Sequence, residues 1–243
     1  MQGLSGRHGA YRHGEHLRSA TAALVAALLA GLILASSLGT AHAGEWFEWK
    51  WRSIDQACGG DCAVTLFAGP SIATDQSKVI GTSGFVAPWN WDLTKDVFVG
   101  VSASRRVATL AGVIDLEPET GVGQRFGKSD EAELWVAIYA RWTLFPWNRW
   151  LYTTLAASTG LSYATGISDR ERKRGGGRGS HLLHYFSPEI TFALPERRDK
   201  ELILRFHHRS GMSGKEVFNT CVRIFNCVTG GEQFVTAGVR LRF

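Results

Sequence analysis

Apolar residues recur at every second position through most of the chain after residue 62, the period of a strand rather than a helix. The clearest stretch sets Leu134, Val136, Ile138, Ala140, Trp142 and Leu144 on one face and Glu133, Ala137, Tyr139, Arg141 and Thr143 on the other. The same alternation predicts further strands near Cys62 to Pro70, Asp96 to Ala108, Leu110 to Gln124, Leu151 to Ser162, Leu182 to Leu194, Glu201 to Ser210 and Glu232 to Phe243.

Two architectures share this pattern. A soluble sandwich hides its apolar stripe in a core, whereas a membrane barrel turns that stripe to lipid and keeps small, polar and charged residues inside. The polar stripe here carries Glu133, Arg141, Glu189, Arg205 and Arg240, which can pair across a narrow lumen. Turn lengths also alternate, 145–148 and 195–200 being short where 169–180 and 211–231 are long. Outer-membrane barrels show that asymmetry, with short periplasmic turns and longer outer loops. Trp142, Trp147, Trp150 and Tyr152 gather at one short turn, where an aromatic girdle would meet the inner interface. The final alternation, Val235, Ala237, Val239, Leu241 and Phe243, resembles the signal read by the outer-membrane assembly machinery, an expected partner. The expected fold is all-β, an eight-stranded antiparallel transmembrane β-barrel in a bacterial outer membrane. Eight strands are too few for an aqueous pore, so the interior should be filled by side chains.

The N-terminal region supplies the route to that membrane. Arg7, Arg12 and Arg18 precede an apolar run from Ala22 to Ala35, then Ser36, Ser37 and Ala41-His42-Ala43, the order of a signal peptide cleaved after Ala43. A helical anchor is the alternative, but the run falls short of the roughly 20 residues needed to cross the bilayer. The expected organisation is therefore a signal peptide at 1–43, a periplasmic segment at 44–61 and the barrel at 62–243. The Trp-rich stretch Trp46, Phe47, Trp49 and Trp51 has no clear period; docking at the periplasmic interface would suit it.

Charge changes this picture little. Cleavage removes Arg7, Arg12 and Arg18 together with Glu15, so the net charge falls from +5 to +3. Nucleic acid is not an expected partner of an exported chain whose basic residues lie mainly in turns and one loop. That loop, Asp169 to Arg178, reads as basic and flexible. It suits charge-assisted contact with lipopolysaccharide phosphates, or equally a plain solvated surface. Cys58 and Cys62 are close in sequence, as are Cys221 and Cys227, and two local disulfides are the simple pairing for an oxidising compartment. A metal site is the alternative, with no histidine near either pair in a zinc-ligand spacing. No cofactor is expected.

Candidate chemistry lies on the seventh strand. Parity puts Leu202, Leu204 and Phe206 toward lipid and continues that face through His208 and Ser210, while His207 points into the lumen. A hydroxyl beside an imidazole is the usual pair for acyl transfer, the imidazole taking the hydroxyl proton during attack on an ester. The plain alternative is two polar interface residues without catalysis. The stretch resembles the lipid A 3-O-deacylase family, eight-stranded outer-membrane barrels whose motif His-x-Ser-Asn-Ala-Gly is matched in its first half by His208-Arg209-Ser210. The resemblance implies Ser210 as nucleophile, His208 as base and Glu232, at the start of the last strand, as orienting acid, with lipid A as the substrate. Gly211 stands where the family has Asn, and Ser213 where its Gly falls, so backbone N–H groups of this loop would have to stabilise an oxyanion. Counting back from an outward Phe243 places Glu232 inward; a bulge would re-aim it, and Glu216 is a second candidate acid. A non-enzymatic barrel with a structural or binding role is the competing function.

Overall fold

All the expected strands form, and each pairs with its sequence neighbour in an antiparallel meander. The computed structural model describes residues 49–243 apart from 54, 82, 129 and 214–220, so the signal-peptide boundary, Trp46, Phe47 and Glu216 lie outside the described residues. The strands are β1 (Trp49–Trp51), β2 (Cys62–Ile72), β3 (Leu93–Arg105), β4 (Ala108–Leu110), β5 (Ile114–Phe126), β6 (Ala132–Trp142), β7 (Tyr152–Ala164), β8 (Leu182–Phe186), β9 (Glu189–Ala193), β10 (Lys200–Ser210) and β11 (Gly231–Arg242). Two short helices, α1 (Gln76–Val79) and α2 (Asp169–Arg174), lie in the connections.

Closure comes from β11 pairing with β2, while β5 pairs with both β3 and β6. Cys62 and Phe243 exchange backbone hydrogen bonds at the seam. β8 and β9 together form one barrel strand, since both pair with β7 and β10. Pro188 has no N–H to give the ladder, and the break falls there: Ser187 N–H turns to the Ser158 hydroxyl at 2.9 Å, and the Pro188 carbonyl accepts from Phe206 N–H at 2.9 Å. Eight barrel strands result, with β1 and β4 as a small extension of the sheet at the β5 edge. The strand expected from Leu110 begins instead at Ile114, because Ala111 and Gly112 adopt positive φ and turn the chain between β4 and β5. Both expected disulfides, Cys58–Cys62 and Cys221–Cys227, are present.

The outward stripe is apolar and bare. Leu66, Val101, Val136, Ile138, Leu155 and Leu204 are all exposed. A soluble monomer rarely leaves so extensive an apolar surface in water; hydrocarbon is its natural solvent, and a closed sheet leaves no unpaired edge in lipid. At the end carrying the short connections, Trp142, Trp147 and Trp150 stand out from the wall. The chain leaves β2, β7 and β10 for its long connections at the opposite end. An even-stranded single-chain barrel with these features is a bacterial outer-membrane protein, its long connections facing outward.

Inside, the lumen is packed in layers. Phe67, Phe98, Trp135, Tyr139, Tyr185 and Phe234 form an aromatic layer with every ring fully buried. His207 sits within it, as its parity requires, stacked 4.3 Å from Phe98, with Nε2 2.9 Å from Glu133 and Nδ1 3.2 Å from the Tyr185 hydroxyl. Toward the short-turn end, Arg141, Arg205 and Arg240 converge on Glu189, and Arg141, Arg240 and Arg242 on Glu117. Arg205 also grips Glu119 through two nitrogens, at 2.9 and 2.7 Å. Each buried charge has an opposite partner, the condition under which charges tolerate removal from water.

Candidate functional site

The outer ends of β10 and β11 divide two sets of polar residues between the faces of one wall. Arg209 and Glu232 face inward and His208, Ser210 and Gln233 face outward, because successive side chains alternate across a strand. No bulge interrupts this ladder, whose register runs unbroken from Lys200↔Leu241 to Ser210↔Gly231.

The inward set belongs to a plug over the outer mouth. α2 is capped by Ser168, whose hydroxyl accepts the Glu171 N–H at 3.1 Å. Glu171 itself reaches down into the mouth, fully buried, 3.1 Å from Arg209 Nε and 3.4 Å from Arg125 Nη1. Burial pushes its carboxyl above the usual range, against the pull of Arg209 and Arg125. Glu232 accepts from Ser71 at 2.8 Å and from Ser168 at 2.9 Å, with Arg170 3.6 Å away. Arg174 donates to the carbonyls of Ile72 and Ala73, and burial lowers its affinity for its proton. The segment read as a flexible basic loop is thus, over Asp169–Arg174, a helix docked at the mouth, with only Arg172, Lys173 and Arg178 of the segment's basic residues exposed. Glu232 serves this plug and does not stand behind the His208 ring.

The outward set is a polar patch set in the apolar wall. His208 lies between Phe186 on β8 and Gln233 on β11, with the Phe206 ring stacked 5.7 Å away. It is 5% exposed, and neither ring nitrogen finds a hydrogen-bond partner among the described residues. Gln233 beside it is already committed, its amide donating to the carbonyls of Ile72 and Thr74. Ser210 is half-buried. Gly211 and Ser213, the candidate backbone donors, give their N–H groups to the carbonyls of Gly230 and Val228.

Directly across the ladder from Ser210 stands His184, a residue the sequence reading passed over. Its Nε2 is 2.9 Å from the Thr159 hydroxyl on β7. Parity alone flags it, since Leu182 and Phe186 on either side face lipid. Its pairing with Ser210 depends on the register of β8 against β10, which the break at Ser187-Pro188 sets. Among the described residues no carboxylate pairs with either outward imidazole, and no cluster of His, Cys, Asp or Glu could hold a metal ion.

No protein-family model and no curated protein matches the chain. Among solved structures it is similar to the outer membrane enzyme PagL, at 12% identity and a TM-score of 0.46, over 74% of this chain and 99% of that one. It is also similar to Neisserial surface protein A, at 14% identity and a TM-score of 0.44, over 75% of this chain and 97% of the other. A de novo designed transmembrane β-barrel is similar at 12% identity and a TM-score of 0.39, over 80% of this chain and the whole of the design.

Proposed function

We propose that this barrel is an outer-membrane esterase that removes an ester-linked 3-hydroxyacyl chain from lipid A, with Ser210 as nucleophile and an outward imidazole as base. One observation carries the reading: Ser210 and two histidines stand together on the lipid-facing side of the wall, near the end that bears the long outer connections. A buried imidazole with both nitrogens unpartnered costs about 1–3 kcal/mol. Such a cost is typical of a site that awaits a partner. An ester of an outer-leaflet lipid meets this face without leaving the membrane. The exposed Arg172, Lys173 and Arg178 at the same end suit the phosphates of its headgroup.

In this mechanism the Ser210 oxygen attacks the ester carbonyl as an imidazole takes its proton, and the leaving alcohol receives that proton back. Water then repeats the sequence on the acyl-enzyme and frees the fatty acid. Lipid A from a lipopolysaccharide-producing host expressing the protein should lose the mass of one 3-hydroxyacyl chain, and Ser210→Ala should restore the parent mass with barrel assembly intact. An unchanged spectrum with folded wild-type protein, in hosts offering several lipid A types, overturns the reading.

A second reading is favoured by the commitment of Glu232 to the plug: a sealed, non-enzymatic barrel whose role is structural or in binding a partner. Its signature is an unmodified lipid A together with loss of integrity of the outer membrane when the gene is deleted.

A further inference from the structure

On the basis of the esterase reading, we infer that the two outward imidazoles divide the work: His184, held by Thr159, is the general base for Ser210, and His208 donates a hydrogen bond to the developing oxyanion. The assignment starts from strand geometry. Residues directly opposed across an antiparallel ladder have Cβ atoms about 4.5–5.5 Å apart, whereas same-face neighbours along one strand are two rises, about 6.6 Å, apart. His184 is the opposed residue and His208 the along-strand one. The cross-strand ring is therefore better placed to reach the Ser210 oxygen.

Hydrogen bonding separates the roles further. Thr159 at 2.9 Å from Nε2 fixes the His184 ring, and with Nε2–H donating to the threonine hydroxyl, Nδ1 is left as the acceptor that a base requires. Among the described residues neither His208 nitrogen has a hydrogen-bond partner, and in its neutral form the ring carries one N–H that can donate. That donor matters because Gly211 and Ser213 have already spent theirs. Among the described residues the histidine that pairs with a carboxylate is His207, with Glu133, so none pairs with His184 or His208.

The steps balance. Ser210 Oγ forms a bond to the ester carbonyl carbon while its proton passes to His184, and the carbonyl π electrons move onto the oxygen that His208 contacts. Collapse breaks the ester C–O bond, and the departing alcohol takes the proton from His184. Water then attacks the acyl-serine, again losing its proton to His184, and Ser210 recovers that proton as the fatty acid departs.

The test is the pH dependence with which a lipophilic fluorophosphonate labels the intact barrel in detergent, read by mass at Ser210. Wild type should label faster as pH rises through the imidazole range. His184→Gln should slow labelling by about two orders of magnitude or more and flatten that profile, the usual contribution of a general base. His208→Ala should slow it by about 10²- to 10³-fold, the usual worth of one oxyanion donor, with the profile kept. His208→Gln, whose amide can still donate, should recover part of the rate, and Thr159→Val should blunt the rate while the profile stays. Heat-modifiable migration of each variant separates these effects from misfolding. A flat profile in His208→Gln with a preserved one in His184→Gln would reverse the roles and overturn the inference while leaving the esterase reading intact. Absence of any label on folded wild-type Ser210 would remove both.

Discussion

Glu232 and Arg209 are directly opposed across the β10–β11 ladder, and both side chains point into the barrel. Their sequence neighbours Gln233, His208 and Ser210 point the other way. One wall therefore holds a plug on its inner face and a polar patch on its outer face, with a single strand's thickness between them. Glu232→Ala should leave the hydroxyls of Ser71 and Ser168 without their acceptor, at about 1–3 kcal/mol. Faster hydrogen exchange across 165–181 would record this. Ester hydrolysis should fall far less than in Ser210→Ala; equal losses would place the carboxylate in the chemistry.

The plug has a sharper dependence on Glu171. Glu171→Ala strips Arg125 and Arg209 of a shared buried carboxylate, a change that typically costs about 3–5 kcal/mol. Proteolytic cleavage within 165–181 should accelerate while the strands stay protected. Unchanged cleavage would mean the helix is held by other contacts.

Acidity gives the same contact a sign. Burial raises the Glu171 carboxyl in the docked helix, so the docked form binds its proton more tightly than the undocked one. Docking is then strongest below the ordinary carboxylate value near 4.3 and weakens as pH rises through the raised value. Exchange protection of α2 should increase on acidification, and Glu171→Gln should flatten that dependence. Protection that decreases on acidification would show the ion pairs to outweigh burial.

Much of this molecule was legible in its sequence, for reasons tied to particular residues. The two-residue period fixed the strands and the faces, so Arg141, Glu189 and Arg205 could be read as lumen partners and His207 as a lumen histidine. Parity also placed Glu232 inward, and the unbroken β10–β11 register keeps it there. The plug was harder to see, because a run of arginines and lysines reads as a solvated loop. Its signal is Ser168-Asp169-Arg170-Glu171, the spacing of a capping box at a helix start. The pairing of His184 with Ser210 had no local signal, since register across two strands separated by twenty-odd residues is set by the turn and the Pro188 break rather than by either strand's pattern.

The lipid-facing belt makes its own prediction. Val136 is exposed on the outer face of β6, flanked by Leu134 and Ile138, far from both ends of the strand. Val136→Arg should destabilise the barrel by about 2–4 kcal/mol, the cost of a cation near the bilayer midplane. Reversible unfolding from lipid vesicles would measure it. A negligible cost would mean that this face meets water or protein.

The most direct test of the central claim uses purified barrel in detergent micelles with lipopolysaccharide as the sole substrate, scoring free 3-hydroxy fatty acid by mass spectrometry. Folded wild-type protein should release it catalytically, and Ser210→Ala, with the same heat-modifiable migration, should release none above the protein-free rate. Release that persists in Ser210→Ala, or no release from folded wild type, would contradict the account.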